Sequence, residues 1–405
     1  MAVLLPSGQI AEPDEKARGW AFMRLAFRPL FWLGALFGML SIITWSLTYT
    51  GHLAFSPYGG GYFWHTHEML FGFAVAIMSG FLLTAVQNWT GVPSIKGKPL
   101  AALVLLWLSA RILMALPGSW VPSALVIAVD IAFLPAAALC FALPIIKAQL
   151  VRNLFFVPLL LMMAALNLLM HLSQLHWVAL NFITLSHTMV LMVALVMVII
   201  GGRVFPMFTA NGTQTPKVDN ILWLDKAAII SVLVCALLTL INSEQGIALQ
   251  GMAFIAAALI NFVRAWRWRI WVTFGTALVW PLHLSYWAIC IGLLMLGLMR
   301  LEVLSNPSLA YHAITVGGMG LMILAMISRV SLGHTGRMIK VGWVINSAFI
   351  ALFSAFVVRV FAPLVSDQYQ SLILVSALLW TLAYLIYIIA YAPVVFKPRV
   401  DGRDG

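Results

Sequence analysis

The stretch "YFWHTHEMLFGF" (62–73) sets His65, His67 and Glu68 within four residues of one another. A neutral imidazole offers a single lone pair and is a common ligand for haem iron and for copper. A carboxylate beside it can orient the ring, cap a helix start or pass protons. On a helix, residues two apart are turned by about 200°, so His65 and His67 lie on opposite faces. They cannot share one metal, but they could serve two centres, one on each side. Of the nine histidines, those at 65, 67, 187, 283 and 312 fall inside apolar runs, and His171 ends another. An ionisable side chain in such a run is costly and implies function. Metal coordination and a proton relay both fit a row of imidazoles.

The elements that must hold these residues are membrane helices. The chain has 405 residues, 63% hydrophobic and 9% charged, against about a quarter charged in a soluble domain. With mean hydropathy +1.02, it reads as an all-α integral membrane protein whose constant partner is the lipid bilayer. Apolar runs begin near Ala21, Tyr62, Pro99, Val121, Leu154, Val178, Ile221, Ile247, Trp271, Leu309, Val341 and Gln370. They amount to about twelve spans of roughly 20 residues. Lys and Arg cluster before the first span (Lys16, Arg18, Arg24, Arg28) and after every even-numbered one, "RAWRWR" (264–269) among them. By the positive-inside rule both termini are cytoplasmic, and the net charge of +11 reflects those loops rather than nucleic acid. Cys140, Cys235 and Cys290 lie in apolar runs, unpaired in spacing, and read as core residues.

The histidines also mark a repeat. His67, His187 and His312 stand 120 and 125 residues apart, and each run closes on a related turn, "NWTG", "TANG" or "GHTG". The expectation is one membrane domain of three quasi-equivalent four-helix units, about 21–146, 147–266 and 267–396. A short segment (1–20) precedes them and a tail (397–405) follows, both cytoplasmic. His67 and His312 come out at similar depth, one or two turns below the outer surface, and could face each other across a haem. His65 would then share a second haem or metal with His187, unless His65 and His67 exchange these two pockets. Arg111, Arg300 and Arg359 are the basic residues toward the outer side, where haem propionates need cations; Arg111 could equally pair with Asp130 on the next span. His171 and His283 are candidates for copper or a second metal, at depths that suggest separate sites. His334, in the inner turn, is expected to be a structural or gating residue.

With "FRPLF" (27–31), "WHTHEM" (64–69), "NWTG" (88–91), "GGRVFPMFTANG" (201–212) and "RVSLGHTGR" (329–337) in view, the chain resembles the NnrS family from first span to last. The resemblance implies a bacterial inner-membrane protein carrying haem and copper, associated with denitrification and the nitric oxide response. No CxxCH site is present, so any haem would be non-covalent haem b, one or two per chain. More distantly, the chain is similar to the catalytic subunit of haem-copper oxidases and nitric oxide reductases, which has twelve spans in three groups and a low-spin haem between helices two and ten. His65 and Met69 match that subunit's second-helix spacing. Its adjacent copper histidines on helix seven have no counterpart here. These resemblances imply a protein that binds or turns over nitric oxide and protects against nitrosative stress. If it is an enzyme, the reaction is a nitric oxide reductase-like oxidoreduction, with Glu68 in the proton path and quinol or another electron donor. The alternative is a secondary transporter of metal or haem with a histidine-lined pathway.

Overall fold

The computed structural model describes residues 20–241 and 246–403. Most of the N-terminal segment 1–20, with Lys16 and Arg18, lies outside the described residues. Twelve helices among the described residues are long and apolar enough to cross a membrane. They are α1 (Phe27–Tyr49), α2 (Gly61–Thr90), α3 (Lys98–Ala115), α4 (Ser123–Lys147), α5 (Phe156–Gln174) and α6 (Phe182–Thr213), followed by α7 (Leu222–Ile241), α8 (Ile247–Arg267), α9 (Trp280–Arg300), α10 (Pro307–His334), α11 (Trp343–Val360) and α12 (Tyr369–Phe396). Helices are the natural solution here, because in hydrocarbon each backbone N–H and C=O must find its partner within the segment.

Burial sorts the helices. The apolar windows of α2, α6 and α10 are 89, 78 and 83% buried, against 33–44% for eight of the others. The three histidine-bearing sister helices therefore form the centre. The outer helices turn Leu105, Leu139, Ile146 and Ile389 outward, as a lipid-facing surface requires.

Two of the three central helices are not uniform. In α2 a π-helical segment, Glu68–Ala74, begins one residue after His67. In α10 another, Ala313–Gly320, begins one residue after His312. A π turn widens the helix and loosens its hydrogen-bond ladder, and it recurs at functional sites. Each segment has a carbonyl caught by an aromatic donor from outside. Trp107 Nε1 donates to Gly72 O at 2.9 Å, and the Tyr384 hydroxyl donates to Gly320 O at 2.9 Å. The third sister helix, α6, stays α-helical past His187. Gly72 is required for space: a Cβ there would sit 3.0 Å from both Arg111 Nη1 and Glu68 Oε2, with Phe37 closer still. Gly72→Ala should therefore cost about 1–3 kcal/mol by overpacking. A thermal melt in detergent checks this; an unchanged midpoint would show that the segment has slack.

The charges near the membrane faces are less exposed than a loop assignment suggests. Arg28 lies inside α1, fully buried, and donates from Nη1 to Val395 O (2.7 Å) and Lys397 O (2.8 Å). It thus ties the first helix to the end of the last. Arg264 of "RAWRWR" lies within α8 rather than in a loop. Its Nε meets Asp225 Oδ1 at 2.7 Å, and its Nη1 donates to Val198 O and to the Tyr286 hydroxyl, both at 3.0 Å. Three hydrogen bonds, one of them to a carboxylate, are what permit its burial. The ninth span also starts later than expected, at Trp280 with Pro281 in its first turn. This moves His283 from mid-span to the helix start.

Candidate metal centres

Four helices build one buried polar cluster on a single side of α2. His67 and Glu68 come from α2, Arg111 from α3, Asp130 from α4, and Asn167 and His171 from α5. Each is 4% exposed or less. Asn167 and His171 are four apart on α5 and so share a face. Arg111 joins the two acids: Nη1 donates to Glu68 Oε1 at 2.5 Å and Nη2 pairs with Asp130. Glu68 Oε1 also lies 2.9 Å from His67 Nδ1. The ion pair between Arg111 and Asp130 is therefore real, and Arg111 is spent on two carboxylates of the protein rather than held for a propionate. Glu68 lies in the third turn of α2 and caps nothing.

Around His67 the acceptors outnumber the donors. His67 Nε2 lies 2.7 Å from Asn167 Oδ1 and 3.2 Å from Asp130 Oδ2. Its Nδ1 already faces Glu68. Both ring nitrogens thus face oxygen acceptors, whereas a neutral imidazole donates from one nitrogen. Flipping the Asn167 amide does not help. Its Nδ2 donates to Asp130 Oδ2 at 2.7 Å, and the flip would set oxygen against oxygen. His171 Nε2 meets the same Oδ2 at 3.1 Å. With both imidazoles neutral, Glu68, Asp130 and Arg111 leave one net negative charge in a site closed to water. A buried charge needs compensation. A proton on one of the rings or carboxyls supplies it, and so does a metal ion among these atoms.

The donor set fits an ion. His67, Asp130 and His171 each offer one ligand atom, all within 4.8 Å of one another; no other such group of three occurs among the described residues. Separations of 3.1–3.2 Å between donors suit a shell with bonds of about 2.0–2.2 Å, as they also suit direct hydrogen bonds. Glu68 on His67 Nδ1 is the carboxylate partner that a ligating imidazole usually has.

The other side of α2 holds a second group. His65 stacks on Trp45 of α1, with centroids 4.6 Å apart and planes 6° apart. His312 lies within electrostatic reach of His65, His187 and Arg359. Its Nδ1 meets Ser308 O at 2.6 Å, which leaves Nε2 as the lone-pair nitrogen. Arg359 Nη2 donates to the Ser308 hydroxyl at 2.8 Å, while its Nη1 and the Nδ1 of His65 are buried without a partner. His187 stacks on Tyr311 at 3.6 Å, within reach of Arg300. The residues present thus suit an imidazole-ligated, acid-bearing group in kind: two imidazoles with free nitrogens and a guanidinium with a free donor.

The structure places His65, rather than His67, on the side of α2 where His312 lies. His67 does not meet His312; it meets His171, with ring centroids 5.0 Å apart, and His65 is the one of the two within electrostatic reach of His312. The repeat register suggested otherwise, but the i, i+2 turn of α2 aims His67 at α4 and α5. His171, Glu68 and Arg111 come together with His67, while His187, Arg300 and Arg359 gather with His65 and His312. His283 joins neither group: its Nε2 lies 2.7 Å from the Thr209 hydroxyl near the other end of the bundle. Asn167 was missed, although "NLLMH" (167–171) places it one turn from His171. The ring partners Trp45 and Tyr311 have no signal in spacing.

The family model described as NnrS protein matches residues 21–399, nearly the whole chain. No curated protein matches it.

Proposed function

The chain belongs to the NnrS family, and we propose that it is a bacterial inner-membrane metalloprotein of the nitric oxide response, with its termini in the cytoplasm. Copper is held by His67, His171 and Asp130, with Asn167 as a further oxygen donor. Imidazole suits copper and iron alike, and the resemblance to the NnrS family, which implies copper, is what favours copper. Haem is held by His65 and His312, with Arg359 as the propionate partner. The observation that carries the reading is His67, which is aimed at acceptors from both ring nitrogens inside a closed cluster of net negative charge.

The chain's own residues have distinct parts in this scheme. Glu68 accepts from His67 Nδ1, fixes its tautomer and leaves Nε2 for the ion. Arg111 holds Glu68 and Asp130 apart from each other's charge and fixes both carboxylates. Glu68 Oε2 has no protein partner and is the atom from which a proton can be handed on. A bound metal would supply an open position for nitric oxide and a site for electrons.

The competing reading is that His67 is protonated and the cluster is the proton-coupling site of a secondary transporter. Elemental analysis of protein purified in detergent separates the two, together with optical and electron paramagnetic resonance spectra before and after nitric oxide. Stoichiometric metal whose signal changes with the gas is expected. Metal-free protein with no response would overturn the proposal and favour the transporter.

A further inference from the structure

A small cavity lies at the meeting of the three central helices, away from both histidine groups. Its volume is about 50 Å³ and no polar atom lines it. Met78 of α2, Met197 of α6 and Met322 of α10 each contribute to the wall, so the sister helices take part in near-equivalent register. Phe31 of α1 closes one side. Phe81 and Ile200, about one turn nearer the end of the bundle where α1 begins, are its half-buried lining residues. The cavity therefore opens in that direction.

We propose that this cavity is a docking site for one apolar diatomic gas molecule. A single water needs about 10–15 Å³, so size does not exclude water, but a buried water also needs two to four polar partners. The wall offers none. A benzene-sized ligand occupies a cavity of about 150 Å³, which is far larger than this one. What remains is a molecule of about two heavy atoms that gains dispersion contacts without needing a hydrogen bond. Thioether side chains suit such a site, because they are polarizable and can move aside to admit a guest.

The fold accounts for the gap. Both π-helical segments end just before it, at Ala74 and Gly320, and the helices return to α geometry at Val75 and Leu321, so that Ile77, Met78 and Met322 follow in a changed register. Met78 is about 16 Å along α2 from His67, and Met322 about 15 Å along α10 from His312. The cavity is thus a depot in the membrane interior, where an apolar gas partitions, rather than a ligand position on a metal. That the natural guest is nitric oxide rests on the function proposed above; the gas site itself does not.

Xenon tests this without any metal. Crystals of the full chain pressurised with xenon should show an atom in contact with Met78, Met197 and Met322. Met197→Trp or, where that variant fails to fold, Ile323→Phe should fill the space and abolish that peak. Wild-type crystals that bind xenon elsewhere and not here, or filled variants that keep the peak, would overturn the proposal. Failure of the metal reading would appear in the elemental analysis instead, so the two outcomes are separable.

Discussion

His171→Ala should strip the bound copper from the protein. The ring lies 3.1 Å from Asp130 Oδ2 and is fully buried, so no solvent molecule replaces its nitrogen without reorganising the cluster. The loss should exceed the roughly 10–100-fold in affinity that removing an outer partner of a ligand costs. Glu68→Gln, which keeps the shape but weakens the acceptor on His67 Nδ1, should fall within that range. His283→Ala should leave the copper content unchanged, because its ring is bonded to Thr209 and belongs to neither group. Dialysis against defined free copper, followed by elemental analysis, reads all three. Equal loss in all three variants would show a general folding defect rather than a site.

Arg111→Leu should be among the most damaging single substitutions in the chain. The guanidinium is the cation between Glu68 and Asp130, and all three groups are almost fully shielded from water. Removing it strands two buried carboxylates, with His67, Asn167 and His171 as their remaining partners. Breaking a buried pair by deleting one member costs about 3–5 kcal/mol, because the other charge stays behind. Adding Asp130→Asn removes one of the stranded charges and should restore part of the stability. Thermal unfolding of detergent-purified protein, held at fixed metal, compares the variants. A single variant as stable as the wild type would mean that the acids are compensated by something other than Arg111.

The twelve helices were legible because the bilayer imposes one length and one composition on each span, and this chain obeys both. The centrality of α2, α6 and α10 was legible in their histidines, since buried helices are where an imidazole finds partners. The π-helical segments after His67 and His312 were not legible. No residue preference marks a π turn, and Gly72 and Gly320 read equally well as packing glycines. The partners of His67 were misread for a related reason. The repeat predicts equivalent depth but not direction, and which neighbour a ring meets is settled by the angular position of the residue on α2 and by the tilt of α4 and α5. Arg28 and Arg264 show the limit of charge counting. Both look like loop charges, yet each is buried within a helix and spent on carbonyls or on Asp225. Asp130 and Arg111 were visible as a pair, but their role in a six-residue cluster needed Asn167, whose amide reads both the ring and the acid.

The central claim is that an ion sits where the oxygen and nitrogen atoms of His67, Asp130 and His171 point at one another. The direct measurement is an anomalous difference map collected on either side of the copper absorption edge, from crystals of protein purified without added chelator. The account predicts a peak at bonding distance, about 2.0–2.2 Å, from His67 Nε2, His171 Nε2 and Asp130 Oδ2. No peak there, with the cluster intact and His67 still hydrogen-bonded to both Glu68 and Asn167, would show that the cation is a proton and contradict the assignment.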